Sequence, residues 1–248
     1  MNIQKTLFFL VAGLCLAAGI SKRKPLTIYM IGDSTMADKL PEKFPETGWG
    51  MAFKDFFYPE VRVINRAKNG LSTKTFLEQN RWKPIVDSLK EGDYVFIEFG
   101  HNDSNTKKPE VFTSVEDYRI NLLKFINDTK AKKAIPVLMT PLMNRRFNPD
   151  GTLKDSHGRY PETVISLAKE QQVYFIDMYQ KSRKVLATEG MEPAKKLFLW
   201  GEPGQYSGFP QGVKDDTHFS VEGARRMAGL AIEGIKELKL PLSKYIKR

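Results

Sequence analysis

The chain has 248 residues, 41% of them hydrophobic and 27% charged, which excludes a disordered, repetitive or low-complexity protein. That length suits one domain. The net charge of +10 is compatible with an anionic partner, but the lysines are scattered rather than gathered into the single run of a nucleic-acid-binding arm, and scatter also serves solubility alone.

The first residues read as a secretory signal peptide. Lys5 precedes a short apolar stretch that ends in small residues, before the basic run Ser21-Lys22-Arg23-Lys24. The stretch is too short for a membrane span, and cleavage is expected between Ala17 and Ser21. Residues 1–21 are therefore assigned to the signal and residues 22–248 to a single domain. Cys15 is the only cysteine, so the mature protein has no disulfide and no thiol chemistry. Leu14 is a poor match to the small residue that a lipidated Cys15 needs. An exported protein without disulfides suits a bacterial periplasmic or extracellular setting.

Five apolar runs rich in β-formers then recur: Leu26–Ile31, Val61–Ile64, Tyr94–Phe99, Ile135–Thr140 and Val173–Ile176. Between them lie stretches with helical spacing at Gly50–Phe57, Thr73–Leu89, Val115–Thr129 and Pro161–Gln171, and a last one spans Val221–Leu238. Pro84 is expected to interrupt the second of these. Continuous apolar strands alternating with amphipathic helices predict a five-stranded parallel sheet covered on both faces, a three-layer α/β/α sandwich. Ligands in such folds bind outside the carboxyl ends of the strands. Those ends carry Gly32-Asp33-Ser34-Thr35, then Asn65 to Ser72, then Gly100-His101-Asn102-Asp103. Met191 to Thr217 reads as one long functional loop. Its Trp200, Tyr206 and Phe209 are candidate stacking residues for sugar rings, although aromatic residues in such numbers also build cores.

Ester hydrolysis needs a nucleophile, a base, a group that orients the base, and donors for the oxyanion. Ser34, exposed after a strand, is the candidate nucleophile; the alternative is a helix cap. His218 is the candidate base, with Asp215 three residues earlier to orient it, while Asp216 is expected to point elsewhere. Gly70 and Asn102 are candidate oxyanion donors, against plain turn and loop roles. His101 reads as structural, and His157 as part of a helix-entry loop.

Four signals thus stand in one order: Gly-Asp-Ser, Asn-x-Ala-x-x-Gly, Gly-His-Asn-Asp and Asp-x-x-His. Together they resemble the SGNH or GDSL hydrolase family. Phe99-Gly100-His101-Asn102-Asp103 with Asp215-x-x-His218-Phe219-Ser220 is most similar to its rhamnogalacturonan acetylesterase branch. The resemblance implies a flavodoxin-like sandwich, a Ser34–His218–Asp215 triad and an oxyanion hole from the Ser34 and Gly70 backbones and the Asn102 side chain. It also implies no metal or other cofactor, and an acetylated acidic polysaccharide as substrate. Three other readings remain. A metallophosphoesterase could use Asp155-x-His157 and Asp216-x-His218, but neither pair follows the first strand. A carbohydrate-binding protein without activity would use the aromatic residues alone. A GDSL lipase or thioesterase would share the chemistry and show an apolar acyl groove. No Gly-x-Ser-x-Gly elbow of a conventional α/β-hydrolase is present.

Overall fold

Five strands, β1 (Leu26–Gly32), β2 (Val61–Asn65), β3 (Tyr94–Glu98), β4 (Ile135–Met139) and β5 (Tyr174–Ile176), form one sheet in the order β2-β1-β3-β4-β5. Every pairing in it is parallel. The computed structural model describes residues 25–247. The segment read as a signal peptide lies outside them. No helix among the described residues is long and apolar enough to cross a membrane.

The strands are apolar throughout because both faces are covered. Ile28, Met30, Tyr94, Phe96, Val137 and Met139 point into one core, under α1 (Trp49–Phe53) and α7 (Val221–Glu237). Tyr29, Ile31, Val95, Ile97 and Leu138 alternate into the other, under α2 (Thr73–Glu78), α3 (Lys83–Ser88), α4 (Val115–Ala131) and α5 (Tyr160–Glu170). The three-layer α/β/α architecture is therefore as the sequence predicts.

Three local features differ from expectation. The helical stretch at 73–89 does split, but the break lies upstream of Pro84, around Asn80 with its left-handed φ of 51°. Pro84 instead occupies the first turn of α3, where a missing N–H costs nothing. A helix the sequence pattern did not show, α6 (Met178–Glu189), packs on the α7 side. Its buried stripe is Met178, Ser182, Val185 and Leu186, and a serine within it blurs the apolar period. The third difference concerns the stretch before the final helix. It is not a plain loop: β6 (Phe198–Gly201) and β7 (Val213–Phe219) pair antiparallel.

The end of β1 explains the abrupt Gly-Asp-Ser. A Cβ on Gly32 would stand 2.5 Å from the Glu98 carbonyl oxygen, so only glycine lets β1 pass β3 this closely. The chain then turns at the carboxyl edge of the sheet, with Lys68 N–H donating to the Gly32 carbonyl (3.0 Å) and tying the loop after β2 to the same edge.

Candidate active site

Ser34 lies in the turn after β1, and buried charges hold that turn from beneath. The Asp33 carboxylate accepts from the Thr35 backbone N–H at 3.1 Å, the Thr35 hydroxyl at 2.9 Å and the His101 N–H at 3.3 Å. His101 Nδ1 lies 3.3 Å from the same carboxylate. Burial alone would raise the Asp33 carboxyl, but the charge and hydrogen bond of His101 outweigh it and lower it. Beside it, Glu98 accepts from the Trp49 indole at 3.1 Å, and burial followed by the Asp33 charge pushes its carboxyl up. Asp33, Glu98 and His101 bring ligand atoms within 4.8 Å of one another. Both carboxylates have no exposed surface and are committed to protein donors, so the cluster offers a cation no open face. It acts as a floor for the turn that carries Ser34.

The candidate base, His218, comes from far along the chain. Along β7 the register jumps from Phe198↔Phe219 to Leu199↔Asp215, which leaves Asp216, Thr217 and His218 unpaired in a bulge. Such a bulge re-aims side chains. His218 Nε2 stands 2.9 Å from Ser34 Oγ across a separation of 184 residues, and its Nδ1 stands 2.7 Å from Asp215 Oδ2. The other Asp215 oxygen accepts from the N–H groups of Thr217 (2.7 Å) and His218 (3.0 Å). Burial would raise the Asp215 carboxyl, but His218 and these backbone donors outweigh it and hold it at about 2. A fixed anion at Nδ1 leaves Nε2 as the acceptor facing the Ser34 hydroxyl. The next helix begins where expected, with Ser220 Oγ accepting from Gly223 N–H at 3.1 Å.

Asp216 does point elsewhere. It accepts from Arg145 Nε at 2.7 Å and the Trp200 indole at 2.8 Å. Its carbonyl accepts from the Arg145 N–H at 2.8 Å. One acid thus orients the imidazole, while its neighbour pins the bulge that carries it.

Lys39 is a site residue that sequence reasoning did not single out. Its ammonium donates to the Ser34 carbonyl (2.6 Å) and the Asn69 side chain (2.9 Å) and pairs with Glu46 (2.7 Å). Its side chain is 2% exposed. The only hint was position, five residues after Ser34 in a polar stretch.

Of the oxyanion candidates, Gly70 follows Asn69 in an exposed turn with φ of +77°, a conformation that glycine adopts without strain. Asn102 lines the same cleft as Ser34 and His218, and its amide donates to the Leu71 carbonyl at 2.9 Å. That bond fixes the Asn102 side chain against the Gly70 loop and leaves a second amide proton for a ligand. Asp103, in the same motif, is wholly buried and accepts from the Thr73 N–H at 3.0 Å. Burial raises its carboxyl to about 7.

The cleft has a volume of about 420 Å³. His157 lines it as well, 3% exposed, edge-on to His101 at 4.5 Å and with Nδ1 2.8 Å from Ser156 Oγ. Burial, then the charge of His101, keeps the His157 ring far below its ordinary pKa. None of Trp200, Tyr206 and Phe209 lines this cleft. The Arg145 guanidinium (4.9 Å) and the Lys195 ammonium (4.4 Å) both lie over the Trp200 ring. Tyr206 and Phe209 pair with each other in a tight turn, with Lys43 5.9 Å over the Phe209 ring. All three aromatic residues lie within the β6–β7 hairpin.

Residues 30–226 match the sequence profile of the GDSL-like lipase/acylhydrolase family. The chain is similar to rhamnogalacturonan acetylesterase RhgT of Bacillus subtilis (strain 168), 37% identical over 224 residues that cover 90% of this chain and 95% of that one. It is also similar to the probable rhamnogalacturonan acetylesterase YesY of the same strain, at 34% over 223 residues covering 88% and 96%. Among solved structures it is similar to Bacillus subtilis protein YxiM, with a TM-score of 0.74 and 27% identity, over 87% of this chain and 57% of that chain. The chain therefore spans little more than half of YxiM. With a profile match along most of its length, this chain belongs to the GDSL-like lipase/acylhydrolase family and is a carboxylic ester hydrolase.

Proposed function

We propose that the protein is an exported serine esterase that removes acetyl groups from a pectin-type polysaccharide, with rhamnogalacturonan as the substrate. The observation that carries the chemistry is the continuous chain Ser34 Oγ, His218 Nε2, His218 Nδ1, Asp215 Oδ2, with links of 2.9 and 2.7 Å. Ser34 Oγ attacks the acetyl carbonyl as His218 Nε2 takes its proton. The Ser34 and Gly70 N–H groups and the Asn102 amide receive the oxyanion. His218 then protonates the departing sugar oxygen, and a water repeats the sequence on the acetyl-enzyme. Asp215 stays ionised and stabilises the imidazolium.

The substrate reading rests on the names of RhgT and YesY and on the motif Phe99 to Asp103. The cleft supports a sugar ester over a long acyl chain, because its walls include Ser104, Asn105, Thr106 and Asn144 beside charged residues. A lipase would need an apolar groove there. The basic, apolar and small-residue order of the first residues supports export.

The test is acetate release from acetylated rhamnogalacturonan, acetylated xylan and long-chain acyl esters by the purified protein. Preference for the rhamnogalacturonan is expected. Preference for xylan would overturn the substrate and keep the mechanism, whereas preference for long-chain esters would move the protein to lipase chemistry.

A further inference from the structure

The cleft that holds Ser34 carries positive charge that ester hydrolysis does not use. Lys107 and Lys108 reach it from the loop between β3 and α4, and Arg146 from the segment after β4. All three are exposed. Among the described residues none of the three pairs with a carboxylate, and all three line the cleft that holds Ser34. Among the described residues Asp215 is the one acid on the cleft wall, and it is committed to His218. Arg146 is presented from a pinned backbone. Its carbonyl accepts from the Lys154 N–H at 2.8 Å, and the adjoining turn is closed by the Phe147↔Leu153 bridge.

Three exposed cations that share one cleft give it a positive potential that favours an anionic ligand. The acetyl ester is neutral, and the charge that develops on it is met by the oxyanion donors. The cations therefore face another part of the substrate. A planar guanidinium matches a carboxylate with two parallel hydrogen bonds, and flanking ammonium groups add charge without fixing geometry.

We propose that Arg146, Lys107 and Lys108 form an anion subsite for a hexuronate carboxylate of the polymer that bears the acetyl group. This inference rests on the polysaccharide reading above and adds to it the part of the polymer that is recognised, with the residues that do so. Neutral acetylated glycans would lack this contact, and their binding would be weaker for that reason.

The experiment measures inhibition of 4-nitrophenyl acetate hydrolysis by unacetylated oligogalacturonides, by a sulfated oligosaccharide and by neutral xylo-oligosaccharides. The wild-type protein is compared with a Lys107→Ala/Lys108→Ala/Arg146→Ala variant. A charge-matched control carries Lys54→Ala, Lys132→Ala and Lys236→Ala, three exposed lysines outside the cleft. Competitive inhibition by the oligogalacturonides, with an inhibition constant raised at least ~10-fold in the cleft variant and unmoved in the control, is expected. Equal inhibition by the neutral oligosaccharides, or an inhibition constant that shifts equally in the control, would overturn the subsite. Stronger inhibition by the sulfated oligosaccharide would overturn the assignment to a uronate. Circular dichroism of both variants excludes misfolding, and Arg146→Ala alone, expected to give part of the shift, serves if the triple variant does not fold. Because the inhibitor carries no acetyl group, its binding is read independently of whether the enzyme deacetylates pectin.

Discussion

The Lys39 ammonium lies 2.6 Å from the Ser34 carbonyl oxygen and reaches the Asn69 side chain at 2.9 Å with another proton. It thereby clamps the turn bearing Ser34 to the loop bearing Gly70. Neither segment is regular structure, so their mutual spacing depends on such cross-links rather than on the sheet.

Lys39→Met keeps the stem of the side chain and removes all three polar contacts. kcat for a small acetyl ester should fall about 10–100-fold with little change in KM, because a misplacement of the order of 1 Å at a reacting centre is costly while binding of a small ester barely notices it. Steady-state kinetics alongside a melting curve check this. A folded variant with unchanged kcat would show that the clamp has no part in positioning Ser34.

The two neighbouring acids should separate by readout. Asp215→Ala removes the orienter of His218 and should lower kcat/KM by about 10³–10⁴, following the behaviour of such acids in serine hydrolases. Asp216→Ala should spare more activity and instead destabilise the fold by about 1–3 kcal/mol, since it strands the buried Arg145 and the Trp200 indole. Paired kinetics and denaturant titration decide the matter. The reverse ranking of activities would mean that Asp216 is the working carboxylate.

Much of this was legible in sequence, for identifiable reasons. The five strands stand out because burial on both faces makes them apolar at every position, as in Tyr94–Glu98. Ser34, Asp215 and His218, which the structure brings together, could be singled out because each sits beside a chain signal: a strand end, a short spacing to a histidine, a helix cap at Ser220. The β6–β7 hairpin was not legible, since Lys214, Asp215, Asp216 and Thr217 interrupt any alternation along β7. For the same reason Trp200 reads as a loop residue, whereas it stands on β6 against Asp216, Arg145 and Lys195. Lys39 and Arg146 gave no signal, because what a long flexible cation reaches is decided by the tertiary structure.

Asn102→Ala should lower kcat by about 10²–10³ while leaving KM close to the wild-type value, as expected of a donor that matters once charge develops on the carbonyl oxygen. Its amide is already fixed by the Leu71 carbonyl at 2.9 Å, so little reorganisation is required. A change confined to KM in steady-state assays would assign Asn102 to ground-state binding.

Stability should peak in weak acid. The carboxyls of Asp33 and Asp215 lie below the ordinary value of 3.8, so the stability they contribute is present above that value and is lost as pH falls towards about 2. Asp103 is raised to about 7 and Glu98 is raised as well. The folded state keeps protons on them that the unfolded chain has released, so stability falls as pH climbs through that window. His101, also raised, contributes stability that is complete below the ordinary histidine value and lost as pH rises through its folded one. The melting temperature should therefore be higher at about pH 5 than at pH 8, and Glu98→Gln should flatten the difference. A melting temperature that rises steadily from pH 5 to pH 8 would contradict the buried-cluster argument.

The central claim is that Ser34 is the nucleophile of an acetylesterase. Acetate released from acetylated rhamnogalacturonan, measured for the wild-type protein and for Ser34→Ala at matched concentration and with matching melting temperatures, tests it most directly. The account predicts steady release by the wild type and a rate lower by about 10⁴ or more in the variant, because members of such a triad act as a unit. Near-normal release by a folded Ser34→Ala protein would contradict it.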